Sequence, residues 1–364
     1  MCARLAHFDH AGMSLTPQPV LNTVMAHLAR EQRMGGYRAE ADQAERLAAG
    51  YTSLAKLVGG RPSEIAFTHN ATLAWDVALL SLDLQEGDRV ILHSSAYASN
   101  RMALLRLRRR GVHLDAVGST PDGNMDPDAV RAAIGGRTRL VCATHVPSTH
   151  GRINPVASVG AVAREACLPY LLDACQSAGQ IALDVEATGA TMLSATGRKF
   201  LRGPRGTGFL WVHEDWHDRL DPPMPDYRSA RLTSDGYALA DGAVRFESYE
   251  HSVAARLGLI RAVDYALEVG PRRIESRIRA LSQTLQTALR EAGMDVLPDQ
   301  ASGIVVWTHP TLDAATVQSR LAEIGIVTST SRRRTAPLSA VRTSLHYLTT
   351  GDEIDRLAAA VRAL

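Results

Sequence analysis

Short apolar runs bounded by turn residues alternate with helix-spaced stretches through the first two thirds of the chain. The runs "EIAFT", "RVILHS", "VHLDAVG", "TRLVCATHV", "PYLLDA", "ATMLSAT" and "GTGFLWV" predict seven strands. Between them "ATLAWDVALLSL", "SNRMALLRLRRRG", "PDAVRAAIG" and "VASVGAVAREAC" carry helical periodicity. The strands read as continuous rather than alternating apolar runs, as expected of a mostly parallel sheet covered by helices on both faces. The stretch "DPPMPDYRSARLTSDGYALADGA" (221–243) is rich in Pro and Gly and lacks a period, so it predicts a long functional loop. Two long helices follow, "HSVAARLGLIRAVDYALEVG" and "PRRIESRIRALSQTLQTALREAG". The remainder alternates short strands ("GIVVWTH", "GIVTST", "AVRTSLHY") with helices, which predicts a smaller α+β unit.

A chain of 364 residues with 45% hydrophobic and 21% charged positions has the makeup of a globular α/β protein with more than one domain. Its 40 basic and 38 acidic residues nearly cancel, which argues against a dedicated nucleic-acid or membrane-surface partner. No apolar run reaches the length of a membrane span, and "MCARLAHFDHAG" lacks a signal-peptide core, so a cytoplasmic protein is expected. Cys2, Cys142, Cys167 and Cys175 form no CxxC pair and no metal-type cluster, and no metal is expected.

Of the 40 basic residues only Lys56 and Lys199 are lysines. A chain that otherwise uses arginine for positive charge keeps lysine where an amine must lose its proton and attack a carbonyl, which arginine does not do. Lys199 stands in "SATGRKFLRGPRGTGF", after a strand and before a glycine-rich turn; Lys56 has no evident role. Two further features belong to strand ends, where an open parallel sheet gathers its ligands. In "FTHNATLAWD" a helix begins near Ala71, and its first N–H groups with the Thr72 hydroxyl would suit a phosphate monoester; simple capping by Asn70 or Thr72 is the alternative. In "PYLLDACQSAG" Asp173 ends an apolar strand and needs a cationic or hydrogen-bonding partner, with a structural salt bridge as the plainer explanation; Gln176 falls nearby. An amine, a carboxylate and an anion cradle are together the needs of pyridoxal phosphate.

On "DACQSAG" and "SATGRKFLRGPRGTGF" the chain resembles the class-V aminotransferase superfamily of fold-type I pyridoxal phosphate enzymes, which includes cysteine desulfurases and isopenicillin N epimerase-like proteins. The resemblance runs from "FDHAGMSLTP" to "VRTSLHYLTTGDEIDRLAAAVR". It implies a fold-type I α/β architecture with an N-terminal arm (1–15), a large cofactor-binding domain (16–245) and a small C-terminal domain (246–364). It implies Lys199 as the lysine joined to the cofactor, Asp173 as the partner of the ring nitrogen, and Gln176 beside the ring oxygen. Asn70, Ala71, Thr72, Thr196 and Ser148 fall among its cofactor contacts, and Tyr97 in "SSAYASN" falls where an aromatic or histidine stacks on the ring. Arg342 in "AVRTSLHY" matches the arginine that clamps the substrate carboxylate, a task suited to a planar guanidinium.

Departures narrow the expectation. Desulfurases often have histidine where Arg198 stands, and they carry a persulfide-forming cysteine in the loop that here reads "VTSTSRRRTAP". Glu250, in "RFESYEHSVAARLGL", stands about where many relatives have a threonine reaching the partner subunit's phosphate. These features resemble the C–S lyase of the ergothioneine pathway. They lead to an expected homodimeric pyridoxal phosphate enzyme with active sites at the subunit interface. The expected reaction is C–S β-lysis of a cysteine-derived thioether or sulfoxide, with an aminotransferase or epimerase as the alternative. Arg332, Arg333 and Arg334 either face the active-site mouth or form a solvated turn.

Overall fold

The computed structural model describes residues 5–332 and 339–364. Seven strands form one sheet in the order Ile65–Thr68, Gly208–Val212, Met192–Thr196, Tyr170–Asp173, Thr138–Thr144, Arg89–His93, His113–Val117. Gly208–Val212 runs antiparallel to both neighbours, and the other pairings are parallel. Successive residues of each strand feed opposite faces. Leu172, Leu193, Phe209 and Val141 enter one buried cluster, while Leu171, Met192, Leu210 and Leu140 enter another. Burial on both faces is the reason the inner strands read as unbroken apolar runs, whereas the edge strand His113–Val117 is mostly exposed or half-buried and keeps His113 and Asp115.

Asn70 starts the helix Ala71–Leu80 by accepting the Leu73 N–H at 2.9 Å. Ser252 caps the helix Val253–Val269, which packs on the helices Gln18–Met34 and Ala44–Val58. That approach is close enough at Gly50 that an added Cβ would meet Ile260 Cδ1 at 2.4 Å. Gly270, with φ 96°, ends one long helix, and Pro271 opens the next, Pro271–Glu291.

A second sheet of four antiparallel strands has the order Asp295–Val296, Ile304–Thr308, Ser339–Ser344, Ser329–Arg332. It shares a core with Pro271–Glu291, Ala314–Glu323 and Gly351–Arg362. The N-terminal strand Ala6–His7 pairs in parallel with Ile326–Val327, and Phe8 is buried in the same core. The stretch expected as an aperiodic loop at 221–243 is in part a hairpin. Ala230–Leu232 pairs with Tyr237–Leu239, and the Thr233 N–H closes on the Gly236 carbonyl at 3.0 Å. Its Ser-Asp-Gly turn lets two three-residue strands pair despite the surrounding prolines. Among the described residues no helix is long and apolar enough to cross a membrane, and no cluster of three His, Cys, Asp or Glu could hold a metal ion.

Candidate active site

The carboxyl ends of the strands Met192–Thr196 and Tyr170–Asp173 bring Lys199 and Asp173 to one side of the large sheet. Lys199 is buried, and its Nζ lies 5.7 Å from the centre of the Tyr97 ring. The amine makes no hydrogen bond among the described residues. Burial lowers its pKa below the ordinary lysine value; Arg198 and Arg342 push the same way and Asp173 opposes them. The Cys175 thiol lies in the same field. Burial first, and Asp173 second, hold it well above its ordinary value, so at neutral pH it is an uncharged thiol.

Asp173 is buried and has no ion-pair partner among the described residues, so the structural salt bridge left open by the sequence is not what holds it there. Its Oδ2 accepts from Asn100 Nδ2 at 2.9 Å, and its Oδ1 accepts from the Cys175 N–H at 2.9 Å. Three residues beyond, Gln176 donates through Nε2 to the Ala11 carbonyl at 3.1 Å, while its Oε1 is buried without a partner among the described residues. Asn70 spends its side chain on the cap, and the N–H groups of Ala71 and Thr72 have no acceptor among the described residues. Thr196 is buried beside them along the adjoining strands, its hydroxyl donating to the Thr207 carbonyl at 3.3 Å. Gly208 lets the strands close here, since an added Cβ would stand 2.8 Å from Asn70 C and 3.1 Å from Ala71 N.

Arg342 projects from the small sheet and is held on three sides. Nη2 pairs with Asp9 Oδ1 at 2.9 Å, Nε donates to Ser329 Oγ at 2.9 Å, and Nη1 donates to the Ser148 carbonyl at 3.4 Å. The fork has five N–H groups, so this seating leaves donors for a carboxylate. The segment after Phe8 ties the site together. Asp9 meets Arg342, the Ala11 carbonyl meets Gln176, the Gly12 carbonyl accepts from Arg198, and the Ser14 N–H returns to the Arg198 carbonyl at 3.0 Å. Glu250 is exposed, and its carbonyl accepts from His69 Nε2 at 2.8 Å, joining its loop to the residues just before Asn70. Arg333 and Arg334 lie outside the described residues.

The family pattern described as Aminotransferase class-V matches residues 6–357. The chain belongs to the class-V aminotransferase family. It is similar to a probable cysteine desulfurase of Methanothermobacter thermautotrophicus, at 29% identity over 96% of this chain and 92% of that one. It is also similar to the isopenicillin N epimerase of Streptomyces clavuligerus, at 29% identity over 86% and 83%. Among solved structures, a cysteine desulfurase from Thermococcus onnurineus superposes with a TM-score of 0.90 at 24% identity, covering 99% of this chain and 94% of that one. The cystine C–S lyase C-DES, solved with cysteine persulfide, superposes with a TM-score of 0.91 at 24% identity, covering 99% and 98%. The expected family and fold-type I architecture are thereby borne out, and the protein is a pyridoxal phosphate-dependent class-V enzyme. The site's own geometry fits that cofactor: among the described residues it has a buried amine without a hydrogen bond, a buried carboxylate without a cation, an orphaned amide oxygen and a helix start with free N–H groups.

Sequence reasoning missed Asn100, Asp9 and Cys175. Asn100 had a legible signal, since it stands three residues after Tyr97 and so on the same side of a helix start. Asp9 had none, because its partner lies at the other end of the chain.

Proposed function

We propose that this class-V enzyme is a C–S β-lyase that cleaves a cysteine-derived thioether, sulfoxide or disulfide of amino-acid size. Pyridoxal phosphate, when bound, supplies an electron sink that stabilises negative charge on the amino-acid Cα. Lys199 would carry the cofactor at rest and, once released, take the Cα proton. Its burial serves that role, because an amine held below its ordinary pKa is more often a free base. Asp173 would hold a proton on the ring nitrogen, Gln176 would meet the ring oxygen, and the Tyr97 face would cover the ring. Asn70, Ala71, Thr72 and Thr196 would cradle the phosphate, with Ser148 at the rim. Arg342 would grip the substrate carboxylate through the N–H groups its three protein partners leave free.

The observation that carries the lyase reading is the make-up of the stretch leading to Arg342. "VTSTSRRRTAP" contains no cysteine, and Cys175, whose thiol shares the electrostatic surroundings of Lys199, is held protonated. Sulfur expelled from Cβ then leaves with the product instead of being kept on the chain. The balanced reaction converts the thioether and water into a thiol, pyruvate and ammonium. In this reading residues 1–15, 16–245 and 246–364 act as arm, cofactor domain and small domain. The enzyme works as a homodimer with the "RFESYEHS" loop reaching the partner's site.

Incubation with cystine and S-substituted cysteines, without any oxo-acid acceptor, tests this. Stoichiometric pyruvate, ammonium and free thiol or persulfide are expected, with no reductant-releasable sulfur on the protein. A strict need for an oxo-acid acceptor would make the enzyme an aminotransferase. The 29% identity to isopenicillin N epimerase supports a second reading. Formation of the opposite enantiomer, with solvent deuterium at Cα and no pyruvate, would establish it.

A further inference from the structure

Asp173 is a buried anion in a chain with 38 arginines, yet no arginine, lysine or histidine pairs with it among the described residues. Its side-chain partner is a neutral amide. Asn100 is 4% exposed and donates Nδ2–H to Asp173 Oδ2 at 2.9 Å. The other carboxylate oxygen is fixed by the Cys175 N–H at 2.9 Å. Asn100 belongs to the first turn of the helix Ala98–Arg108, whose N-terminal boundary residue is Tyr97. One helix start therefore presents both the aromatic ring 5.7 Å from Lys199 Nζ and the amide that seats Asp173.

We infer that Asn100 is a positioning residue that orients Asp173 toward the cofactor ring nitrogen without neutralising its charge. This rests on the reading of Asp173 as that nitrogen's partner. A cation at position 100 would also seat the carboxylate, but it would spend the negative charge that keeps a proton on the ring. A neutral donor stabilises the anion through a charge-assisted hydrogen bond and leaves its charge available. With two donors fixed on two different oxygens, the carboxylate cannot rotate, and its remaining lone pairs keep one direction. Without Asn100 the carboxylate loses its fixed direction, and the ring nitrogen holds its proton less firmly.

The test reconstitutes the parent, Asn100→Leu, Asn100→Ala and Asp173→Asn with pyridoxal phosphate labelled with nitrogen-15 in the ring. The ring-nitrogen resonance and the cofactor dissociation constant are then read at neutral pH. In the parent the resonance is that of a protonated ring. In either Asn100 variant the equilibrium moves about tenfold toward the unprotonated ring, and cofactor binding weakens about tenfold, the scale of one lost hydrogen bond to a buried charge. Asp173→Asn gives an unprotonated ring. Parental resonance and affinity in the Asn100 variants, with Asp173→Asn altered, overturn the inference alone. A protonated ring in Asp173→Asn instead removes the reading of Asp173 on which it stands. If neither Asn100 variant folds as apoprotein, by circular dichroism and thermal melting, the residue is structural and the inference also falls.

Discussion

Asp9 and Arg342 stand 333 positions apart in the chain and form an ion pair of 2.9 Å in the fold. The pair joins the N-terminal segment to the small antiparallel sheet, and Ser329 and Ser148 complete the seat of the guanidinium. A guanidinium held this way loses little freedom when a carboxylate docks, which favours binding. The same segment touches Gln176 and Arg198, so the Arg342 guanidinium and these two residues share one support.

Replacing Arg342 with lysine keeps the charge but removes the planar fork. KM for the amino-acid substrate is expected to rise about tenfold or more, with a smaller change in kcat, because the lost contact binds ground and transition states alike. Steady-state kinetics check this. An unchanged KM would mean that the carboxylate is gripped elsewhere.

Lys199→Arg is expected to retain the fold and to abolish turnover, since a guanidinium stays protonated. Borohydride treatment of the parent should leave the cofactor covalently fixed on the peptide bearing Lys199, and peptide mass mapping reads this directly. The depressed amine pKa adds a pH signature. Neutral amine is the reactive form, and its fraction grows with pH through the depressed pKa. The rate at which apoprotein takes up pyridoxal phosphate should therefore rise with pH and level off below the ordinary lysine value of about 10.4. A rate still climbing at that pH contradicts the shift.

Asp173→Asn keeps the size and some of the hydrogen bonding but not the charge. The loss in kcat is expected to be about a hundred- to a thousandfold, as for other lost transition-state charge contacts. Single-turnover rates at saturating cofactor separate this from weakened cofactor binding. Parental rates would leave the carboxylate a structural role.

Glu247 is the buried centre of a polar hub beside the large sheet's edge. Its carboxylate accepts from Tyr51 Oη at 2.7 Å, Phe67 N–H at 2.9 Å, and Arg228 and Arg256 at 3.2 Å each. Burial, and then the neighbouring carboxylate, push the Tyr51 hydroxyl up to about 12, so it remains a donor. Glu247→Ala leaves two guanidiniums without their shared anion and is expected to cost about 3–5 kcal/mol. Urea unfolding of the apoprotein measures it, and a loss below about 1 kcal/mol would show that solvent or a neighbouring group replaces the carboxylate.

What the sequence determined by itself was everything that local chemistry and periodicity carry. Strands buried on both faces must be apolar throughout, so the inner strands were legible, and the half-buried edge strand His113–Val117 was legible from its place in the alternation of strands and helices. A lysine kept in an arginine-rich chain and a carboxylate ending an apolar strand were legible for the same reason: each residue type is costly or unusual where it stands. At the helix start near Ala71 an anion site and capping by Asn70 or Thr72 stood as alternatives, and the structure shows Asn70 as the cap. The hairpin inside 221–243 was not, because three-residue strands are too short to show a period among prolines. Tertiary structure alone decided the long-range partners: Asn100 on Asp173, Asp9 on Arg342, and Glu247 beneath Phe67. The strand and helix periods specify which face a residue takes, and they carry no information about which distant side chain meets it. That choice is made when the sheet, its covering helices and the N-terminal segment pack together, where a buried charge persists only if the fold brings it a donor.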